Sequence, residues 1–285
     1  MQSALQAFPF RYVSLDEARA SGNGGAMSIA SLIAPIPAEG GHVRFDNLDH
    51  WLQGRTLYGG ASALVAYTAA IRAFPDLPPL RAAQIAFVAP TAPEAELRRE
   101  IVRQGRNVAQ VRSEIWCEGK CTLTAFWLFG TSREANAHHP AAPVADWPGS
   151  PEEAEPAMAG KGPAFIQHNF EIRRAQDVRG PGDPVVRRWA RLNDREGLDA
   201  VSELILLGDV LPPGAMRAMK RQGPISSINW SFNLLETEPA TRDGWWLSEN
   251  ASQHADGGYS SERLRLWNAD GKQVLYGMQS VAIFG

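Results

Sequence analysis

Cysteine is nearly absent from this 285-residue chain, which has two, Cys117 and Cys121 in "IWCEGKCTL". Their C-x-x-x-C spacing is not C-x-x-C, and no second pair exists to complete a zinc site. Two free thiols flanking a tight turn, in a reducing compartment, are expected. The six histidines are scattered, and only His138 and His139 adjoin, inside a Pro/Ala-rich stretch. No metal and no cofactor are therefore expected. An apolar run long enough to span a bilayer is missing. The opening "MQSALQAFPFRYV" lacks the early Lys/Arg and long apolar core of a secretory signal, so the expected location is cytoplasmic. Basic excess is missing too: 28 Lys+Arg stand against 31 Asp+Glu, for a net charge of −3. Nothing here favours nucleic acid or an anionic membrane surface as a partner, since both would want a basic patch.

What the chain does have is length for about two domains and a globular composition. Residues 131–163, rich in Pro, Ala, Gly and Glu without helical or strand periodicity, divide it. The expected organisation is a first domain over 1–130, a linker over 131–163 and a second domain over 164–285. In the first half "YGGASALVAYTAAIRAF" (58–74) is apolar nearly all round, as a buried helix should be. Strands are expected over 82–88, 95–103, 107–117 and 121–129. The second half has a helix over 197–208, closed by Pro212-Pro213-Gly214, and strands over 226–234, 245–251, 260–267 and 274–284. Trp116 with Gly119-Lys120 recurs as Trp267 with Gly271-Lys272, and Phe129-Gly130 as Phe284-Gly285. Each half thus reads as one buried helix followed by four consecutive, hence antiparallel, strands. That is an α+β architecture, a helix wrapped by a curved sheet, made twice: a double hotdog.

The residues "GRTLYGG", "AQIAFVAP", "RQGRNVAQVRSEIW" and "FWLFG" in the first half, with "LLGDVLPP", "SSINWSF", "DGGYSSERLRLWNADG" and "MQSVAIFG" in the second, resemble the acyl-CoA thioesterases of the thioesterase II type. The resemblance implies two hotdog domains per chain and hydrolysis of an acyl-CoA by an activated water. It places the water-holding groups at Asp209, Ser227 and Gln279. Members of that family often carry Thr, an acidic residue and His on the strand that here reads Ser227-Ile228-Asn229-Trp230. Ser227 keeps the hydroxyl, and the changes at Asn229 and Trp230 bear on substrate range.

The side chains carry their own argument. Asp209 follows a helix whose continuation Pro212 disfavours, so it faces the negative end of that helix dipole among aliphatic neighbours. Both effects raise a carboxylate pKa and make a better base near neutrality. An exposed turn Asp is the plain alternative. Gln279 sits on an otherwise apolar row, Leu275, Gly277, Gln279, Val281 and Ile283, where a buried amide needs partners and can orient a water. Gly277 beside it leaves room for a ligand to approach the backbone. Ser227 lies on a regular row with Asn229, Ser231 and Asn233, a pattern that usually marks a solvated face. Gly59 and Gly60, at the start of the first helix, are a candidate anion site or simply close packing. Counting from landmarks pairs Gln279 with Thr124 and Ser227 with Ala82 in the first half, so the candidate chemistry is present once.

Two rival enzymes and one binder remain. "GGASAL" falls short of a G-x-S-x-G nucleophile turn, because Leu64 stands where the last Gly belongs. A hotdog hydratase would want an Asp/His pair, for which "DHW" (49–51) is the candidate. A non-catalytic acyl-CoA-binding hotdog protein is the third. A homodimer is expected, because exposed strand edges need covering.

Overall fold

The computed structural model describes residues 28–46, 48–144, 146–157, 162–177 and 181–284. The N-terminal stretch read above for a signal lies outside them. The first half opens with a short helix, α1 (Ile29–Ile33), a strand, β1 (Gly41–Arg44), and a small hairpin, β2 (Leu52–Gln53) with β3 (Thr56–Leu57). A long helix follows, α2 (Gly59–Ala73), then β4 (Leu80–Phe87), β5 (Glu94–Gln104), β6 (Val108–Cys117) and β7 (Lys120–Gly130). Every residue of α2 from Gly60 to Ala70 is buried, in keeping with its unbroken run of small and apolar side chains. The second half runs α3 (Ala164–Asn169), β8 (Phe170–Arg174), β9 (Val185–Leu192), α4 (Ala200–Leu207), β10 (Ile225–Leu234), β11 (Trp246–Asp256), β12 (Tyr259–Asn268) and β13 (Gln273–Ile283). The Asp199 side chain caps α4 by accepting the Ser202 N–H, one of the amides a helix start leaves unpaired.

Eleven strands form one antiparallel sheet in the order β1-β5-β6-β7-β4-β10-β13-β12-β11-β9-β8. The halves meet at β4 and β10, where Ala83 pairs with Phe232 and Ile85 with Trp230. Each half thereby covers the other's longest open edge, and the edges left at β1 and β8 are short. One-helix-plus-four-strands is therefore incomplete: β1 precedes α2, and β8 and β9 precede α4. Strands β8 and β9 ("FEIRR", "VVRRWARL") hide because arginines occupy both faces and blur the apolar alternation.

The two helices lie against each other inside this wrap. The Tyr58 hydroxyl donates to Leu206 O at 2.7 Å. A Cβ on Gly60 would stand 2.5 Å from the same carbonyl, so only glycine lets the start of α2 approach α4 this closely. Among its described residues the segment 131–163 has no strand before α3, yet part of it is anchored. Trp147 packs edge-on against Trp189 at 5.6 Å, and Arg173 donates to Pro151 O and Glu152 O on the outer face of the second half.

Register fixes which positions correspond. Ile115 pairs with Leu123 just before a bulge in one hairpin, and Leu266 with Leu275 just before a bulge in the other. Four residues on, the counterpart of Gln279 is Trp127, not Thr124, which points off the inner face. Leu80 pairs with Phe129 before a bulge in β4, as Ser227 pairs with Val281 before a bulge in β10. The counterpart of Ser227 is thus Leu80, not Ala82. The polar set remains present once, with a Trp and a Leu in the matching places.

Candidate active site

Asp209 follows Gly208 at the end of α4, and two neighbours hold it. Gln279 Nε2 donates to Asp209 Oδ1 at 2.8 Å and, with its other hydrogen, to Ser227 Oγ at 2.8 Å. One amide thus ties a carboxylate to a hydroxyl. A carboxylate only accepts, so the amide nitrogen must be the atom facing it. Ser227 accepts from Gln279 and keeps its own proton for a further partner.

A β-bulge brings Ser227 there. Ser227 pairs with Val281 and Asn229 with Ser280, leaving Ile228 as the extra residue. Residues directly opposite in an antiparallel pair share a face. Ser227 therefore joins the inner row with Trp230 and Phe232, while Ile228 is pushed out to 41% exposure. The uninterrupted row of Ser227, Asn229, Ser231 and Asn233 expected from the sequence does not exist. Asn229 stays on the outer face, where its Oδ1 accepts the Ser280 N–H, and is not part of the cluster. Gly277 is not a ligand gap either: a Cβ there would meet Ser231 O at 2.7 Å and Phe232 Cβ at 3.2 Å, so its smallness serves strand packing.

Gly59 and Gly60, at the start of α2, lie against Asp209. The backbone N–H of Gly60 is close enough to lower the carboxylate's pKa, and a Cβ on Gly59 would lie 2.3 Å from Asp209 Oδ2. Asp209 thus faces the favourable end of α2 as well as the unfavourable end of α4. Burial raises its pKa, and the hydrogen bonds from Gln279 and Gly60 lower it; burial wins, pushing the group up to about 6. As whole residues Asp209 and Ser227 are half-buried, while the carboxylate itself lies deep in the packing. Tyr58 forms a neutral wall: burial, then the Asp209 charge, holds its phenol well above the usual range.

Glu262 escaped the sequence reading. It is the Cα partner of Gln279 on β12 and is fully buried. Its carboxylate accepts the Gly214 N–H at 2.7 Å, the Ala215 N–H at 3.3 Å and the Ser260 hydroxyl. These bonds fix the 3₁₀ turn Gly214–Arg217 that follows Pro212-Pro213. The signal was available: Glu262 shares a row with Leu264 and Leu266, where a carboxylate needs a reason.

The rival constellations lie elsewhere. Ser62 of "GGASAL" is buried and donates to Leu57 O. His50 of "DHW" stacks on His168 with ring centroids 4.4 Å apart and bonds to none of Asp209, Ser227 or Gln279. Among the described residues no three His, Cys, Asp or Glu converge as a metal site. At the other end of the helix pair an open groove of about 540 Å³ is lined by Tyr67, Phe74, Leu80, Phe129, Asp199 and Thr237. Leu80 and Phe129 are the counterparts of Ser227 and Val281, so this groove is the apolar version of the polar site.

Two helices inside one sheet that is continuous across the halves, with a polar cluster at one end of the helix pair, define a double hotdog protein. Family models match both halves: the acyl-CoA thioesterase N-terminal domain over residues 48–130 and the acyl-CoA thioesterase C-terminal domain over 140–283. The chain belongs to the acyl-CoA thioesterase family. Among solved structures it is similar to a proposed thioesterase II from Thermobifida fusca, at 19% identity and TM-score 0.77, covering 93% of this chain and 100% of that one. A hot dog fold protein from Alicyclobacillus acidocaldarius gives 20% and 0.74, covering 86% and 92%. The acyl-CoA thioesterase II TesB2 from Mycobacterium marinum gives 16% and 0.69, covering 90% and 97%. At these identities the likeness is one of fold. No curated protein matches the sequence. No helix among the described residues is long and apolar enough to cross a membrane.

Proposed function

We propose that this protein hydrolyses an acyl-CoA thioester to the free acid and CoA, with Asp209 as general base. The observation that carries the reading is the Gln279 amide, which spans Asp209 and Ser227 at 2.8 Å each way. A water seated between the carboxylate and the Ser227 hydroxyl gives a proton to Asp209 as its oxygen attacks the thioester carbonyl. Gly59 starts α2 against Asp209, and its N–H is the group assigned here to receive the oxyanion. Collapse breaks the C–S bond, and the thiolate takes the proton back from Asp209. A carboxylate with a pKa near 6 is ionised at neutral pH yet basic enough for this exchange.

The same reading places the protein in a reducing compartment, the cytoplasm, consistent with its free thiols Cys117 and Cys121. It includes a homodimer. The motive moves from strand edges, largely covered within the chain, to the outer sheet face, where Phe126, Tyr276, Met278 and Ile228 are exposed. The test is release of free thiol from a panel of acyl-CoAs by the full chain and by Asp209→Asn. Turnover by the wild type and its loss in the variant support the reading. Binding of acyl-CoA without turnover would make the protein a carrier or sensor instead.

A further inference from the structure

Three arginines gather at the inner face of the sheet's far edge, and among the described residues the carboxylate paired with them is the exposed Glu155. Arg174 on β8 and Arg188 on β9 are Cα partners, so both side chains leave the same face. Like charges placed directly opposite destabilise a sheet. Arg217 joins them from the end of the 3₁₀ turn: burial first, then the charges of Arg174 and Arg217, pushes the Arg188 pKa down. Arg188 donates to Gln176 Oε1 and Arg187 O, and Arg217 to Val185 O. The buried Nε of Arg174 has no hydrogen-bond partner among the described residues. Among the described residues its ion-pair contact is with Glu155 at 3.7 Å, a side chain that is 74% exposed.

The outer face of β9, β11 and β12 shows what a purely structural arginine cluster looks like. Arg187, Arg263 and Arg265 converge there on Glu249, which is buried, at 2.5, 3.3 and 2.6 Å. Three arginines gathered around a buried carboxylate have an anion of the fold at their centre, although the set keeps a net positive charge. Three with no buried carboxylate among them in the described residues, and only the exposed Glu155 at their edge, suit an anion from outside.

We propose that Arg174, Arg188 and Arg217 bind the phosphates at the nucleotide end of the CoA substrate. This rests on the acyl-CoA reading above. The placement fits. From Gln279 the register runs through Glu262 to Ser252 and Pro184, and Arg188 lies four residues further along β9. Three strand spacings and four residues amount to roughly 20 Å from the thioester site, a span suited to an extended pantetheine arm. Glu262 ties the two ends together: it sits beside Gln279 and holds the amides of the turn that ends in Arg217. Guanidinium forks suit phosphate oxygens, and a half-buried site strengthens each bond.

The experiment compares an acyl-CoA with the corresponding acyl-pantetheine, which keeps the thioester and the arm but has no phosphate. Wild type, Arg217→Gln and Arg174→Gln are assayed on both. Binding of 3′-phospho-ADP to each is measured by calorimetry. In the variants KM for acyl-CoA should rise about tenfold or more, while kcat and the KM for acyl-pantetheine stay unchanged. The Kd of 3′-phospho-ADP should rise in parallel. Arg174→Gln should also melt higher than wild type without ligand, because it relieves the repulsion with Arg188; a merely structural arginine would melt lower on removal. Equal 3′-phospho-ADP affinity in all three proteins, or equal losses on both thioesters, overturns the proposal. Should the wild type hydrolyse neither thioester, the hydrolase reading fails, while the 3′-phospho-ADP titration still decides the arginine site.

Discussion

Gly59 packs against the Asp209 carboxylate, so the first turn of one half's helix abuts the acid that ends the other half's helix. Neither half carries this arrangement alone. The halves expressed separately should aggregate or stay unfolded, since each would also expose its side of the β4–β10 seam. Mixed together, they should recover folding before either does singly, as read by circular dichroism and light scattering.

Asp209→Asn should cut kcat by about 10²–10⁴-fold, the usual cost of losing a general base, with acyl-CoA affinity kept. In the wild type kcat/KM should fall about tenfold per pH unit below an inflection near 6. The bond from Gln279 lowers the Asp209 pKa, so Gln279→Leu should move that inflection upward as well as slowing turnover. An unmoved inflection in a pH–rate series would show that another group titrates.

Burial of Asp209 also has a cost in stability. Its folded pKa, about 6, lies above its ordinary 3.8. The folded state therefore holds the proton more tightly, and stability is lost as pH rises from about 4 to 6, then stays level. Two units correspond to about 3 kcal/mol at most. Asp209→Asn should gain stability over wild type at pH 7 but not at pH 4, less whatever the amide loses as an acceptor. Urea melts at the two pH values measure the difference.

Two adjacent glycines should fail differently. Gly59→Ala directs its methyl at Asp209 Oδ2, at 2.3 Å, and should mainly reduce kcat. Gly60→Ala meets the Leu206 carbonyl at 2.5 Å, where backbone cannot yield, and should mainly lower Tm by separating the helices. Thermal melts beside kinetics separate the two.

Glu262→Gln leaves one oxygen to accept where two now serve three donors. It should destabilise by about 1–3 kcal/mol, the cost of an unsatisfied buried group. KM for acyl-CoA should rise too, since the turn that ends in Arg217 loses its anchor. Denaturant melts and KM measurements read the two effects.

Much of this was legible in the chain. Small and apolar residues over 59–73 and the alternation along β6, β7, β12 and β13 placed the elements within a few residues. Asp209 and Gln279 stood out as polar groups where packing wanted none. Ser227 did not, because one extra residue, Ile228, inverts the alternation, and a bulge leaves no mark in a two-residue period. The counterparts Trp127 and Leu80 were missed for the same reason: counting along a sequence cannot see register shifts. Glu249 and Glu262 explain the rest. Their partners come from neighbouring strands or a distant turn, and only pairing brings them together.

The seam between β4 and β10 has a consequence for how such a protein can change. In an assembly of two identical chains, every substitution is made at both ends at once. Joining the copies in one polypeptide lets the ends evolve separately: Trp127 and Leu80 could take the place of a Gln and a Ser without erasing them from the opposite pole. The groove at Leu80 and Phe129 is thus open to new chemistry while the other pole is left as it is.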